Sequence, residues 1–281
     1  MRFFYWFWPF FHGPLRHAKK LLLNANYREH SWLQSRYGRT KKKSETTIAT
    51  SNGTFFVRDP EAFVSTYQEI FLDENYDFPC PEAAPLIFDL GANVGVSIAY
   101  FKKKFPHSRI VAVEADPQVF GLLQRNIAAN GWSNVTAIQA AVWKKKGTIK
   151  FSPDGGVAGK IDSQKGSVSV PTVTLQALIG RRKFSFLKMD IEGAENSMVP
   201  GLAAVLSQGP HVYIEYHSSI KAPQALGEIL ALLAKKRFRV QTQPIYSAPR
   251  PYWGIRDNAF GFDLQLSIFA TKGPMKAVGR G

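Results

Sequence analysis

From residue 86 onward the chain alternates between short apolar runs and longer amphipathic segments. The short runs have the length of buried strands, and the longer segments repeat apolar residues at helical spacing. The pattern predicts strands at residues 86–90, 109–114, 135–139, 184–189, 211–216, 238–242 and 264–271. It predicts helices at residues 96–105, 117–130, 174–179, 195–206 and 223–236. Strands that alternate with helices are typical of an α/β fold whose parallel sheet is covered on both faces.

The same pattern divides the chain into four segments. They are an aromatic and basic extension at 1–43, a cover of one strand and one helix at 44–85, the alternating domain at 86–272 and a tail at 273–281. In the cover, residues 54–57 predict a strand, and Asp59 and Pro60 predict the start of a helix near 60–73. Residues 38–47 look like a linker, and residues 148–151 and 167–170 predict a hairpin inserted into the domain across a Gly-rich turn.

The N-terminal extension is unusual in composition. Eight of its first eleven residues are aromatic, and residues 1–43 hold ten Lys or Arg against the single acid Glu29. That segment carries +9 of the formal net charge of +15, so residues 44–281 are only mildly basic. The aromatic run is shorter than the roughly 20 apolar residues of a membrane-spanning helix, and it lacks the cleavage site of a secretory signal. Peripheral membrane contact through residues 1–43, packing on its own domain or on a partner subunit, and a disordered start all stay open.

The single cysteine, Cys80, excludes an internal disulfide framework and a cysteine-based zinc site. It fits a reducing compartment. We therefore expect a cytoplasmic protein, with the membrane periphery as the alternative location. The sequence gives no indication of the oligomeric state.

A glycine-containing loop follows the first strand of the alternating domain. The strand ends in Asp89, and the loop with Gly91 and Gly95 leads into a helix. Glycine lets the backbone approach a ligand closely, and the helix N-terminus offers free N–H groups. Glu114 ends the second strand 23 residues after Gly91, where nucleotide-binding folds place an acid that accepts hydrogen bonds from ribose hydroxyls. Together these features predict a site for an adenosine cofactor.

Spacing and charge discriminate between the candidate cofactors. Residues 91–95 lack the Gly-x-Gly-x-x-Gly spacing of nicotinamide sites and the Lys-Ser/Thr pair of P-loops. Asp89 lies where a diphosphate would meet a carboxylate, whereas a sulfonium with an amino acid tail meets no such repulsion. The sequence therefore favours S-adenosylmethionine over NAD.

Four segments, at 88–95, 113–117, 187–195 and 214–217, resemble the FkbM family of methyltransferases. The most distinctive is Leu-Lys-Met-Asp-Ile-Glu-Gly-Ala-Glu at 187–195, and the resemblance covers roughly residues 55–272. It implies a class I methyltransferase fold, which is Rossmann-like with seven mostly parallel strands and an antiparallel last strand. It also implies O-methylation, often of sugar or natural-product hydroxyls. The extension lies outside the family pattern.

The resemblance also assigns residues to parts of the cofactor. It implies that Glu114 holds the ribose. It implies that the methionine part is lined by Asp89, Gly91, Asn93 and Gly95. It implies that the adenine is flanked by Asp116, Phe120, Ala141 and Val142.

Candidate catalytic residues fall at or just past the ends of the fourth and fifth strands of the domain. Open α/β sheets bind ligands outside the carboxyl ends of their strands, and methyl transfer requires an aligned acceptor oxygen that loses its proton. Asp190 is the first candidate, to orient the acceptor hydroxyl or the cofactor's ammonium. His217, with an ordinary pKa of about 6.5, and Glu192 are candidates for the general base, and Glu215 is an alternative.

Other interpretations of these acids stay open. Asp190, Glu192 and Glu215 could gather a divalent cation, although we expect a metal-free site. Glu195 is interpreted as a first-turn helix acid. Glu215 could be a buried structural carboxylate, and His217 a loop histidine.

The sequence therefore predicts an S-adenosylmethionine-dependent methyltransferase that acts on a hydroxyl of a sugar, glycan or small natural product. The net charge motivates an RNA methyltransferase as an alternative, but the chain has no Asn/Asp-Pro-Pro-Tyr/Phe motif and Cys80 precedes the fold, so nucleic acid is not the expected partner. A membrane-tethered, non-catalytic binding protein is a third possibility. We expect the acceptor site to be shaped by residues 152–170 and by the loop at 243–263, which holds Tyr246, Tyr252, Trp253 and Phe260.

Overall fold

The computed structural model describes residues 20–40, 45–152, 160–161, 167–249, 252–253, 258 and 261–273. The aromatic run at 3–11, the Gly-rich turn at 154–156 and Phe260 lie outside the described residues. The chain divides into two compact units, Met1–Asp77 and Phe78–Gly281. The division into four segments stays a prediction. Among the described helices, none combines the length and the apolar character needed to cross a bilayer.

The described residues of the first unit include helical segments and a hairpin. Helix α1 (Ala25–Tyr37) begins where the side chain of Asn24 accepts the N–H of Tyr27. Strands β1 (Thr46–Thr50) and β2 (Gly53–Val57) pair antiparallel, and helix α2 (Pro60–Tyr67) runs into a π-helical turn at Gln68–Leu72. The cap predicted at Asp59 is confirmed, because its side chain accepts the N–H of Ala62. The linker predicted at 38–47 was wrong at its end, since the threonine-rich β1 pairs with β2 from Thr46 onward.

The second unit holds the remaining strands and helices. Its strands are β3 (Leu86–Leu90), β4 (Arg109–Glu114), β5 (Val135–Gln139), β6 (Ala141–Val142), β7 (Gly147–Ser152), β8 (Lys160–Ile161), β9 (Val168–Val173), β10 (Phe186–Met189), β11 (His211–Ser218), β12 (Arg239–Ser247) and β13 (Leu264–Thr271). Its α-helices are α3 (Val96–Lys104), α4 (Pro117–Ala129), α5 (Leu175–Ile179), α6 (Val199–Val205) and α7 (Leu226–Lys235).

Seven strands form the main sheet, in the order β12-β13-β11-β10-β3-β4-β5. The pairs from β11 to β5 are parallel, whereas β13 is antiparallel to both β11 and β12. This is the predicted class I methyltransferase architecture, including the antiparallel last strand, and it is confirmed. The strand order reverses between β3 and β10, which makes the carboxyl ends of these two strands the switch point where such sheets bind ligands.

A second sheet accommodates the inserted hairpin. Its order is β6-β9-β7-β8, and β7 pairs antiparallel with β9 from Gly147↔Thr172 to Phe151↔Val168. The predicted hairpin is therefore confirmed, and β6 extends it by pairing parallel with β9. A small apolar cluster of Ala141, Phe151 and Val170 packs on this sheet.

The main core lies between the central strands and the helices that follow them. Leu90, Met189 and Ile214 from the strands are fully buried with Leu202 and Ile229 from the helices. Each such side chain contributes about 1.5–3 kcal/mol through removal from water. This core fixes β3, β10 and β11 side by side and so positions their carboxyl ends.

Two predicted elements were wrong in their bounds near the site. The single helix predicted at 195–206 is a 3-10 turn at Ala194–Ser197 followed by α6, because Pro200 has no N–H to donate and its ring would clash inside a continuous helix. The strand predicted at 211–216 continues to Ser218, since it pairs with β13 as far as Ser218↔Leu264. His217 therefore lies within β11 and is not a loop residue.

Candidate active site

The loop after β3 lies directly on the end of β10. Gly91 has a φ of +82°, and a Cβ atom there would lie 1.7 Å from the carbonyl oxygen of Asp190. The N–H groups of Gly91 and Ala92 both donate to the carbonyl of Val113 at the end of β4. Only glycine fits this left-handed backbone at such a close approach, so the loop geometry explains this residue type directly.

A buried lysine connects the two strand ends. Lys188 on β10 donates from Nζ to the carbonyl oxygen of Gly91 at 2.6 Å. The same Nζ lies 3.4 Å from Oδ1 of Asp89 and 3.3 Å from Oδ2 of Asp190. Burial alone would lower the pKa of Lys188, but the carboxylates of Asp190, Asp89 and Glu215 outweigh it and raise the pKa above its ordinary value. Lys188 therefore remains a cation.

Asp89 is fully buried beneath the loop. Besides its ion pair with Lys188, its Oδ2 accepts the hydroxyl of Ser97 at 2.5 Å. It does not line the pocket described below. Its role in this geometry is to fix Lys188 and the start of α3.

Glu114 at the end of β4 holds the loop from the other side. One carboxylate oxygen accepts the N–H of Asn93 at 2.9 Å, and the other accepts the N–H of Asp116 at 2.8 Å. Burial is the main reason that the pKa of Glu114 rises to about 7, partly opposed by these two hydrogen bonds. Asn93 has a φ of +48°, a conformation that asparagine tolerates better than most residues. Asp116 caps α4, since its Oδ1 accepts the N–H groups of Gln118 and Val119.

A pocket opens at the switch point and collects most of the predicted site residues. Its lining comprises Gly91, Asn93, Val113, Glu114, Ala115, Asp116, Ala140, Ala141, Val142, Phe151, Asp190, Ile191 and Glu192. Six of the nine residues predicted for the cofactor are among them, together with Asp190 and Glu192 of the catalytic candidates. The structure thus brings the loop, the acid of β4 and the end of β10 around one space.

Three of the residues predicted for the cofactor lie outside this lining: Asp89, Gly95 and Phe120. Gly95 has a φ of +90°, and a Cβ there would lie 3.0 Å from Leu123 and 3.3 Å from Trp132, so its residue type follows from packing. Phe120 is buried in the first half of α4. The predicted contacts of these residues with a cofactor stay predictions.

Two residues of this region were missed from the sequence. Lys188 lies in an apolar strand and is paired in register with Asp89, and an ionisable residue inside a buried strand could have indicated it. Phe151 lines the pocket from β7, opposite the end of β4. The position of Phe151 depends on the pairing of β7 with β9 and of β9 with β6. Such long-range strand pairing cannot be predicted from the local sequence pattern.

The turn after β10 is organised by Glu195. The side chain of Glu195 is fully buried, and its two oxygens accept the N–H groups of Ile191 and Gly193, each at 2.8 Å. The interpretation of Glu195 as a first-turn helix acid is confirmed, since it lies in the first turn of the 3-10 helix Ala194–Ser197. Its carboxylate also closes the turn that precedes this helix. This turn gives Glu192 a φ of +55° and directs it to the pocket.

His217 lies behind this turn and is only 1% exposed. Its Nδ1 is 3.4 Å from Glu195, and its Nε2 is 3.3 Å from Glu215 and 3.7 Å from Glu192. Burial opposes the charged ring, but the three carboxylates outweigh it and hold the pKa of His217 well above its ordinary value. The aromatic ring of Phe262 covers it, with ring centroids 4.7 Å apart. The three carboxylates therefore favour the protonated form of this buried ring.

Asp190 and Glu192 are the acids of this network that line the pocket. Burial raises the pKa of Asp190, and Glu215 raises it further, against the opposing effect of Lys188. Burial also raises the pKa of Glu192 well above its ordinary value, against the opposing effect of His217. Two cations, Lys188 and His217, thus face five carboxylates. A positively charged ligand in the pocket would favour the ionised forms of Asp190 and Glu192, whose pKa values burial raises.

A divalent cation is one chemically possible occupant. Asp190, Glu192 and His217 each offer one ligand atom, and these atoms lie within 4.8 Å of one another. Glu215, named as the third ligand only in the metal alternative, contacts His217 and accepts the hydroxyl of Tyr213 at 3.2 Å. The positive charges of Lys188 and His217 already neutralise part of the negative charge of the acids, which weakens their attraction for a metal ion.

The loop between β12 and β13 lies at the same edge of the sheet. Asp263 donates its N–H to the carbonyl of Ser218 at the end of β11, and Phe262 packs on His217. Tyr252 and Trp253 in this loop are 100% and 90% exposed.

The comparison with known proteins agrees with this geometry. The model of the FkbM methyltransferase domain matches residues 89–240, which include the loop, Glu114, the Asp190 turn and His217. The chain belongs to the FkbM family of methyltransferases, and the resemblance found in the sequence is confirmed. Its main sheet has the class I architecture of that family.

Individual relatives match this chain only in part and at low to moderate identity. The chain is 39% identical over 87 residues to methyltransferase sdnD of Sordaria araneosa, covering 31% of this chain and 34% of that protein. It is 24% identical over 155 residues to the 2-O-methyltransferase NoeI of Sinorhizobium fredii, covering 47% and 63%. The chain thus spans less than two thirds of either relative. A solved FkbM methyltransferase from Methylobacillus flagellatus aligns with a TM-score of 0.41 at 16% identity, covering 89% of this chain and 60% of that one.

Proposed function

We propose that the protein transfers a methyl group from S-adenosylmethionine to a hydroxyl oxygen of a sugar, glycan or small natural product. The observation that carries the proposal is the charge of the site, where five carboxylates face Lys188 and His217 beside a glycine loop. A sulfonium with an ammonium tail complements this charge. A dinucleotide would bring its diphosphate to the same acids and be repelled.

The pocket offers a place for each part of that cofactor. The remaining lone pairs of Glu114 face the pocket and suit ribose hydroxyls. The apolar wall of Ala115, Ala141, Val142 and Phe151 suits the adenine ring, with Phe151 available for stacking. Gly91 and Asp190 line the part that would hold the methionine tail. The contact of Phe120 with the adenine stays a prediction beside this assignment.

We assign distinct roles to the three catalytic candidates. Asp190 lines the pocket and orients the acceptor hydroxyl or the cofactor's ammonium. Glu192 also lines the pocket, and its raised pKa suits a carboxylate that accepts the hydroxyl proton as the new O–CH₃ bond forms. His217 is covered by Phe262, and its raised pKa favours the protonated ring, so we assign it as a positioning residue that stabilises ionised Glu192.

Binding and turnover distinguish this proposal from its alternatives. In isothermal titration calorimetry we expect S-adenosylmethionine to bind and NAD not to bind. Binding of NAD in preference would overturn the cofactor assignment. Binding of S-adenosylmethionine without methyl transfer to any glycan, lipid or RNA fraction would instead support a non-catalytic binding protein.

The roles of Glu192 and His217 are tested by pH profiles of turnover. Glu192→Gln is expected to lower kcat by about 10²–10⁴-fold with little change in cofactor affinity. His217→Gln is expected to retain binding and to move the acid limb of the kcat profile to higher pH, because His217 lowers the pKa of Glu192. An unchanged acid limb in His217→Gln would show that Glu192 is not the titrating base.

The acceptor class is tested with labelled cofactor. Extracts with and without active protein are incubated with S-[methyl-³H]adenosylmethionine and separated into glycan, lipid, RNA and small-molecule fractions. We expect label in an alkali-stable methyl ether of a sugar or small molecule, and the relative NoeI, a 2-O-methyltransferase, supports transfer to oxygen. Label in RNA would favour the second candidate instead.

A further inference from the structure

Helix α1 of the first unit has an inward and an outward face of different character. The inward side chains are those that contact the rest of the unit. Leu33 is fully buried, Asn26 donates to the carbonyl of Phe71 at 3.1 Å, and Glu29 accepts the hydroxyls of Ser51 and Tyr67 at 2.7 and 2.6 Å. These positions recur at the spacing of one helix face.

The outward face combines apolar and basic side chains. Arg28, Trp32 and Arg36 follow one another at intervals of four residues on the exposed side of α1. Leu22 and Leu23 in the preceding helical residues are 78% and 74% exposed, and Trp32 is 52% exposed. We define the basic–apolar face as Lys20, Leu22, Leu23, Arg28, Trp32 and Arg36.

The basic–apolar face is positively charged because Glu29 does not point to it. Glu29 is the only Asp or Glu among residues 1–43, and its hydrogen bonds to Ser51 and Tyr67 turn it to the interior of the unit. The outward side of α1 therefore presents cations without an acidic neighbour from the same segment. In addition, Arg28 donates to the carbonyls of Leu21 and Leu22 at 3.1 and 2.9 Å, which fixes the two exposed leucines beside α1.

We propose that the basic–apolar face docks the protein on an anionic phospholipid surface. Exposed leucine and tryptophan side chains insert at the boundary between headgroups and acyl chains, where tryptophan is enriched. The surrounding Lys and Arg side chains pair with the phosphate and carboxylate groups of anionic lipids. A nucleic acid surface would use the cations but would leave two adjacent exposed leucines without a function. The proposal is independent of the catalytic assignment.

Vesicle co-sedimentation of the full chain tests the proposal. The vesicles contain phosphatidylcholine alone or phosphatidylcholine with phosphatidylserine. We expect binding to the mixed vesicles, weakened by salt, and little binding to phosphatidylcholine alone. No binding to the mixed vesicles would overturn the proposal.

Three sets of substitutions separate the apolar and the charged contributions. Leu22→Ser with Leu23→Ser and Trp32→Ser removes the apolar part, and we expect loss of detectable sedimentation. Lys20→Gln with Arg36→Gln removes two cations, and we expect on the order of a fivefold weaker partition per charge. Lys144→Gln with Lys145→Gln is the matched control, because it removes two exposed cations from the second unit.

Three results would overturn the proposal of a lipid surface as the partner. If the control weakens sedimentation as much as the α1 variant, binding depends on net charge and the proposal fails. If the wild-type chain forms a dimer in light scattering that the triple serine variant loses, without vesicle binding, the face is a contact between copies. If the wild-type chain binds RNA and not vesicles, and Lys20→Gln with Arg36→Gln weakens that binding, the partner is a nucleic acid.

Discussion

Gly91→Ala tests the close approach between the β3 loop and the end of β10. The added Cβ atom would lie 1.7 Å from the carbonyl oxygen of Asp190 and 2.9 Å from its carbonyl carbon. Real Cβ atoms essentially never come closer than 3.0 Å, so the two backbones must separate by more than an ångström. Neither partner is a flexible side chain, and the clash therefore cannot be relieved by a change of rotamer.

The expected cost has two parts. A left-handed φ of +82° costs a residue with a Cβ about 1–2 kcal/mol, and overpacking a closed site adds about 1–3 kcal/mol. A total of about 2–5 kcal/mol corresponds to a fall in Tm of about 5–15 °C. Displacement of the loop by about an ångström should also lower kcat/KM on the order of a hundredfold.

Gly121→Ala provides the matched comparison. Gly121 lies within α4, no heavy atom lies within 4 Å of the place of its Cβ, and its backbone is not left-handed. Alanine there should stabilise the helix by about 0.5–1 kcal/mol. The measurements are thermal unfolding and methyl transfer by both variants. A Gly91→Ala protein whose Tm and kcat/KM equal those of Gly121→Ala would refute the steric argument.

Further predictions concern the charged groups. Lys188→Met leaves Asp89 and Asp190 without their cation and should cost about 3–5 kcal/mol of unfolding free energy. Adding Asp89→Asn to the Lys188→Met chain should restore part of this free energy. If the losses of the two single variants simply add in denaturant titrations, the ion pair is contradicted. The pKa of Glu114 is raised from 4.5 to about 7 in the folded chain. Between these two pH values the folded chain therefore binds more protons than the unfolded chain. The contribution of Glu114 to the free energy of unfolding thus falls as pH rises from 4.5 through 7. Glu114→Gln should flatten this slope, and identical slopes in unfolding titrations of both proteins would count against the burial of this carboxyl. Dialysis against EDTA should leave methyl transfer unchanged, since Lys188 and His217 already neutralise part of the acidic set; loss of activity that Mg²⁺ restores would show that a metal is required.

The sequence predicted the alternating elements well because their signals are local. Strands β3, β4, β5 and β13 have the bounds predicted for them, since each is a short apolar run between turn residues. The cap at Asp59 was equally local, as it requires only a carboxylate and the next few N–H groups. Strand β1 was missed because its threonines resemble a polar linker until β2 pairs with them.

The site was predictable only to the level of strand ends. Residue type and spacing indicated Gly91, Glu114 and Asp190, which all line one pocket. The raised pKa of His217 depends on Glu195, Glu215 and Glu192, which lie within 3.7 Å of its ring. These contacts cannot be predicted from the periodicity of the sequence. Glu195 was correctly interpreted as a first-turn acid. Its hydrogen bonds to Ile191 and Gly193 were not predictable, because they form in a turn whose shape the side chain itself creates.

The hydrogen bonds of Lys188, Glu114 and Glu195 have a consequence for how a ligand binds. All three side chains use charge-assisted bonds to hold backbone groups of the protein itself, at Gly91, Asn93 and Ile191. The cavity walls are therefore set during folding and do not wait for a ligand to order them. Association then loses little loop entropy, which is the benefit of a preorganised receptor. Affinity in such a receptor is decided by electrostatic match, so a neutral or anionic analogue of the same shape should bind poorly.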